Sequence, residues 1–433
     1  MSRSLTSIER FERELKACWA RSDALFERVP HESLLDRPIQ LRHPILFYMG
    51  HLPAFMWNQV GAGALGLGPL DAELDGLFER GIDPHDQGAA RAASIQAWPK
   101  LSAVHAYRDR ARERILSLIP RVLATPGELC EKGRVLHLCL EHERMHHETL
   151  LYMFQEHPGL LALGEQPELG DGVSPTLVHI PAGETRIGAR WEDQDFGWDN
   201  EFSIHTQHIP SFELDSHPVR VIDFAEFVDS GAWMDDRYWD AQDLSWRPEH
   251  PGSWVPSEQG WRIKWIFGQV PIANASGWPA QVSYAAATAY ARWKGTRLPT
   301  EGELNRAAYA TPQGDWRAYP WGEQTPGPEH GRLNFERWSP APVGSHPAGA
   351  SAWGVHELVG NGWEWTASRF GPLPGFRPWM STYPGYSADF FDNWHQVVFG
   401  GSWATHPSLV RRSFRNWYQR RYPFVFSSFR LVR

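Results

Sequence analysis

Apolar residues return at helical spacing four times in the first third of the chain. The runs are Ile8-Phe11-Leu15-Trp19, Ile45-Leu46-Met49-Leu52-Met56, Tyr107-Ala111-Ile115-Ile119 and Leu136-Leu140-His147-Leu151. They predict four long helices between residue 1 and about residue 158. Gly and Pro fall mainly between the runs, although Pro53 lies inside the second and is expected to kink it. Four such helices predict a four-helix bundle, whose interior can build a metal site from facing helices. The stretch GLLALGEQPELGDGVSP, residues 159–175, breaks the pattern and reads as a linker. Beyond it the pattern changes to short segments bounded by Gly, Pro, Asn and Asp. One clear helix is predicted over 284–294, and a second starts near Thr300 at a Thr-Glu-Gly-Glu capping signal. The chain thus reads as a helical domain over 1–158, a linker over 159–175 and a mixed α/β domain over 176–433.

At 433 residues, two domains are expected on size alone. The apolar fraction of 42% and charged fraction of 21% are those of a soluble globular protein. Trp is unusual: there are 23, most of them after residue 190, which fits irregular structure held by large indole anchors. A net charge of −9 with no basic run argues against nucleic acid or an anionic membrane as partner. The three cysteines, Cys18, Cys130 and Cys139, show neither disulfide nor zinc-ribbon spacing, and the N-terminal stretch lacks a signal-peptide core. A cytoplasmic location is the expectation.

The sharpest chemical feature is LCLEHERMHHETLLYM, residues 138–153. On a helix, His142 and His146 stand one turn apart on one face, so two imidazoles can bind one ion. Leu138, Cys139, Met145, Thr149 and Met153 share that face, while Glu141, Arg144 and Glu148 lie opposite. Two buried histidines satisfied by hydrogen bonds would read the same way. A third, His51 in the apolar run ILFYMGHLPAFMW, shifts the balance towards a metal centre of His51, His142 and His146. His43 and His147 are the rivals, but His147 is turned about 100° from His146 around the helix. His142 to His146 also fits the H-E-x-x-H pattern of zinc proteases, with Glu143 as base. No ligand-bearing helix follows, and no edge-strand pattern for holding a peptide precedes it.

With these residues in view, the first half resembles the DinB-like bundle, helical domains with a three-histidine metal site. The second half resembles the formylglycine-generating-enzyme fold, an irregular α/β domain related to C-type lectins. Its marks are HIPAGETRIGA (179–189), PVRVIDFAEFVDSGAW (218–233), PAQVSYAAATAYARWKGTRLPTEGELNRAA (279–308), WGVHELVGNGWEWTAS (353–368), FGGSWAT (399–405) and FSSFRLV (426–432). True formylglycine-generating enzymes work through cysteines in this fold, and this half has none. The combination resembles the non-haem iron sulfoxide and selenoxide synthases, which use Fe(II) and O2 to join a chalcogen to C2 of the imidazole of hercynine, the trimethylated histidine. The resemblance implies Fe(II) on His51, His142 and His146. It also implies an Arg-Asn-Trp element at Arg415, Asn416 and Trp417, in which Asn and Trp hold hercynine. Trp417 suits a quaternary ammonium or an imidazole by cation–π attraction or stacking.

Departures from the thiol-using members bear on the donor. Members that accept γ-glutamylcysteine carry Asp after Asn-Trp, where this chain has Tyr418. The iron helix has Met145 where theirs has Gln, and their Tyr-Pro-Gly-Phe segment is set against Leu373-Pro374-Gly375-Phe376 here. With that tyrosine unplaced, Tyr418 is the candidate proton donor. Losing a carboxylate partner disfavours a zwitterionic donor, whose charge would stand unpaired. The expectation is therefore a selenosugar, as in selenoneine synthase, with a thiol (γ-glutamylcysteine or cysteine) as the alternative. A lectin-like binding module on a metal-free or zinc-binding helical scaffold is the non-enzymatic reading.

Overall fold

A computed structural model describes residues 6–79, 97–157, 159–162 and 164–433. Contacts divide the chain into two units: 1–162 together with 379–384, and 163–378 together with 385–433.

In the first unit the predicted helices form, three of them longer than their apolar runs and the second coextensive with its run. Helix α1, Ser7–Phe26, starts at a capping box: the Thr6 hydroxyl accepts from the Glu9 amide and Glu9 Oε2 accepts from the Thr6 amide. Helix α2, Ile45–Met56, is buried at every position, as a segment apolar all round must be. It continues through Pro53 to Met56 and then widens into a π-helical stretch, Trp57–Ala64. A short helix, α3 (Ala72–Leu77), is capped by the Asp71 side chain. It lacks a full apolar period, so periodicity gave no sign of it. Helices α4, Leu101–Ala124, and α5, Arg134–Gln155, complete the bundle. Phe11, Leu15, Val104, Ile115 and Leu136 are completely buried, each contributing roughly 1.5–3 kcal/mol. Among the described residues, no helix is long and apolar enough to cross a membrane.

The second unit is built from small sheets. β1 (Leu177–Ile180) pairs antiparallel with β4 (Phe212–Asp215), and β2 (Gly183–Ile187) with β3 (His205–Ile209). β5 (Trp254–Ser257), β6 (Gly260–Trp265) and β7 (Gly268–Pro271) form a meander. β8 (Trp363–Arg369), β9 (His395–Phe399), β10 (Asn416–Gln419) and β11 (Ser427–Ser428) form a sheet in the order β10-β9-β8-β11, its last pair parallel. Residues 164–175, read as a linker, are bonded into this unit: Gly170 O accepts from Gly277 N at 2.8 Å, and Val343 O from Val173 N at 2.8 Å.

Both predicted helices are present, Tyr284–Trp293 and Glu301–Tyr309, the latter with its Thr300/Glu303 capping box. A helix at Val221–Asp229, too short to announce itself by periodicity, also forms. Ile180, Leu214, Leu304, Val355 and Val432 share one core cluster. Arg430, fully buried, pairs with Glu364 at 2.6–2.7 Å and donates to the carbonyls of Asp215, Ser216 and His356. The tryptophans do similar work. Trp278 donates to Glu168 O at 2.6 Å, Trp365 to Val282 O at 2.7 Å and Trp239 to Trp233 O at 2.8 Å. Irregular backbone leaves carbonyls that no ladder satisfies, and indole N–H groups bond them while filling the core.

Candidate metal centre

The first unit brings His51 from α2 together with His142 and His146 from α5. One ring nitrogen from each lies within 4.8 Å of the other two. His142 Nε2 and His146 Nε2 face each other at 3.2 Å. His51 Nδ1 is bonded to the Phe78 carbonyl at 2.8 Å, and its Nε2 is buried without a partner. Since only a protonated Nδ1 can donate to that carbonyl, Nε2 carries a lone pair.

The surroundings fix each ring. His142 lies flat on Phe55, with centroids 3.5 Å apart and planes at 6°, and His51 stacks on Phe47 at 5.2 Å and 14°. Gly50 makes room for the Phe78 ring, because a Cβ there would come within 2.4 Å of it. Behind Phe78, Asp75 accepts from Tyr107 at 2.6 Å and from the amides of Leu70 and Asp71, which pins the short helix α3. Burial holds His51 down at about 4 and pushes His142 and His146 well below the ordinary range, reinforced by their mutual proximity. All three are thus neutral near pH 7, the protonation state a metal requires. An unpartnered buried nitrogen and three converging imidazoles fit a divalent transition metal such as iron.

The rivals lie elsewhere. His43 stacks on Phe47 at 4.0 Å. His147 Nε2 is 2.8 Å from the Ser22 hydroxyl of α1, and that hydroxyl donates to Glu143. Cys18 joins these two in a second buried Cys/Glu/His group. Glu143 therefore faces α1 rather than the three histidines, which removes the general base the protease reading needs. The Cys18 and Cys139 thiols are both pushed up, first by burial and then by Glu143.

The remaining sequence candidates belong to the second unit. Arg415 is buried and bonded to Glu301 at 2.7 and 3.1 Å and to Gly371 O at 3.0 Å. Asn416 Oδ1 accepts from the Trp417 amide at 2.9 Å. Trp417 stacks on Phe370 at 4.0 Å and 8°, with Tyr386 and Phe390 at 5.3 and 5.5 Å. Tyr418 lies parallel to Tyr422 at 6.1 Å. By strand alternation Asn416 and Tyr418 point to one face of β10 and Trp417 to the other.

The sequence reading passed over Tyr383. It belongs to the helical unit, and its ring meets Phe55 at 5.4 Å and 75°, on the aromatic that stacks against His142. The available signal was Tyr383-Pro384-Gly385-Tyr386, which carries the Tyr-Pro-Gly-aromatic order sought at 373–376.

Fold and site together define a class: a helical bundle with a metal-ready trio of imidazoles, continued in one chain by an irregular α/β unit. Residues 14–150 match the DinB superfamily, and residues 166–433 match the sulfatase-modifying factor enzyme 1-like domain. Over 90% of its length the chain is 35% identical to the hercynine oxygenase of Mycobacterium tuberculosis, covering 91% of that protein. The Mycolicibacterium smegmatis hercynine oxygenase is 34% identical, with 84% of each chain covered. Ergothioneine biosynthesis protein 1 of Neurospora crassa is 28% identical over 96% of this chain, which spans only 57% of that longer protein. The chain belongs to the sulfatase-modifying factor enzyme 1-like family and, by this identity along most of its length, to that of the hercynine oxygenases.

Proposed function

We propose that this chain is a non-haem Fe(II), O2-dependent enzyme that joins a chalcogen to C2 of the hercynine imidazole, with a selenosugar as donor. The observation that carries the reading is the trio of neutral, converging imidazoles in a chain related along most of its length to hercynine oxygenases. In this reading His51, His142 and His146 would hold the iron, which would supply the redox chemistry with O2. The imidazole loses its C2 hydrogen and the selenol its proton, and a C–Se bond forms. Four electrons pass to O2, one oxygen atom ending on selenium and the other in water.

The chain's own residues bind and orient. Asn416 and Trp417 are the proposed hercynine contacts, Trp417 offering an indole backed by Phe370 to a ring or a quaternary ammonium. The Arg415 guanidinium, engaged by Glu301, is suited to fixing that element rather than to meeting substrate. For the proton at the donor, Tyr383 is supported by its contact with Phe55 beside His142, whereas Tyr418 is supported only by its place after Asn-Trp.

The donor assignment rests on charge. Tyr418 follows Asn-Trp where a carboxylate would pair an amino-acid donor's ammonium, and a stranded charge in a closed site is expensive. Sugar hydroxyls can be met by a neutral side chain such as the Tyr418 hydroxyl. The Neurospora relative, an ergothioneine biosynthesis protein, favours the second reading, a thiol donor. Competition decides: with hercynine, Fe(II), O2 and equal concentrations of a selenosugar and γ-glutamylcysteine, mass spectrometry should find mainly the selenium adduct. A dominant γ-glutamylcysteine adduct makes the protein a sulfoxide synthase, and no adduct from either donor sinks both readings.

A further inference from the structure

The short segment Trp379–Pro384 packs as part of the helical unit although it is remote from that unit in sequence. Pro378 precedes it, Pro384 ends it, and one turn bond, Tyr383 N to Met380 O at 2.8 Å, lies within it. So short a segment has little order of its own, and what it touches must fix it.

Among what it touches is the π-helical stretch that continues the His51 helix. Gln59, 5% exposed, makes a two-point pair with Thr382. Its Nε2 donates to the Thr382 carbonyl at 3.4 Å, and the Thr382 hydroxyl donates to its Oε1. Gly63, on the same stretch, leaves the space this needs: a Cβ there would come within 2.3 Å of Thr382 Cγ2. The wider turn re-aims side chains relative to a regular helix, which is a common use of such stretches near functional sites. The next residue is Tyr383, against Phe55 and through it against His142.

We propose that Gln59 and Thr382 are positioning residues whose two-point pair fixes the backbone of Trp379–Pro384 and so holds Tyr383 at the histidine centre. The functional half of this inference rests on the reading of the protein as a hercynine-coupling enzyme. The mechanical half does not. A group that moves a proton must sit within hydrogen-bond reach of the reacting atom, and a small misplacement is enough to slow the step. The Thr382 hydroxyl supplies such placement from one residue away, and its loss strands the buried Oε1 of Gln59.

The test uses the full-length protein with Thr382→Val, which keeps the shape and removes the hydroxyl, and Thr382→Ser, which restores it. Hydrogen–deuterium exchange over 379–384, read by mass spectrometry, should speed up about tenfold in the Val variant, the equivalent of one buried hydrogen bond. Turnover with hercynine and donor should show kcat down by about tenfold or more, with KM for hercynine and metal content within about twofold. Thr382→Ser should recover both exchange and kcat. Unchanged exchange in the Val variant overturns the clamp. Faster exchange with unchanged kcat overturns its role in positioning, and so does a kcat loss that Ser does not rescue. Wild-type protein that couples no donor to hercynine instead defeats the functional reading, and the exchange measurement still decides the clamp.

Discussion

Two neighbouring faces of helix α5 carry nearly the same chemistry and end in opposite states. On one, His142 and His146 meet His51, leaving a buried ring nitrogen of His51 without a hydrogen-bond partner. One step round the helix, Glu143 and His147 meet Cys18, but the Ser22 hydroxyl stands between carboxylate and imidazole and links them. Both groups lie in an apolar bundle, buried except for the half-buried His146, and unmet polarity is costly there. The second face is closed by a protein hydroxyl and stitches α1 to α5. The first is left for something the chain does not supply. Residue type and spacing alone therefore do not separate the two groups, and the disposition of lone pairs does.

The strongest way to break this comparison is to remove a ligand on the open face. His146→Ala should abolish tight Fe(II) binding and all turnover, while His147→Ala keeps about one iron per chain by metal analysis. Equal loss of iron in both would reverse the assignment of the two faces.

A buried carboxyl in the other unit sharpens the contrast, because among the described residues no hydroxyl bridges it to a base. Burial raises Glu357 from its ordinary 4.5 to about 7, against the bonds from the Gly344 amide and Asn361. A folded-state value above the unfolded one means the contribution is full below the ordinary pKa and is lost as pH rises through about 7. Across that window stability should fall by up to about 3 kcal/mol, and Glu357→Gln should flatten the slope. Urea midpoints at acid and at mildly alkaline pH test it, and an unchanged slope in the variant removes Glu357 as the cause.

Smaller effects probe how each face is supported. Gly50→Ala forces the Phe78 ring away and with it the carbonyl that orients His51, so metal affinity should drop by roughly 10–100-fold with the helical content intact. Co(II) titration followed by absorbance reads this directly. Ser22→Ala removes the hydroxyl that links Glu143 to His147 and should cost about 1–3 kcal/mol in unfolding free energy, with iron stoichiometry unchanged. If it lowered the iron content, the two faces would not be independent.

The sequence by itself determined the four helices, because apolar residues at a helical period can bury a stripe only by packing as they do here. It also determined that His142 and His146 share a face, since their separation is one turn, and it carried the family through motifs along both halves. Other features had no local signal. That His51 joins the pair depends on Gly50 admitting Phe78 and on α3 being pinned by Tyr107 through Asp75. That His147 and Glu143 form a closed chain depends on Ser22, distant in sequence. Tyr383 packs in the helical unit beside the Gln59–Thr382 pair, whose partners lie more than half the chain apart in sequence. Periodicity records which face of an element is buried, whereas the partner met across that face and the lone pairs left open are set by contacts between elements, which only the folded chain makes.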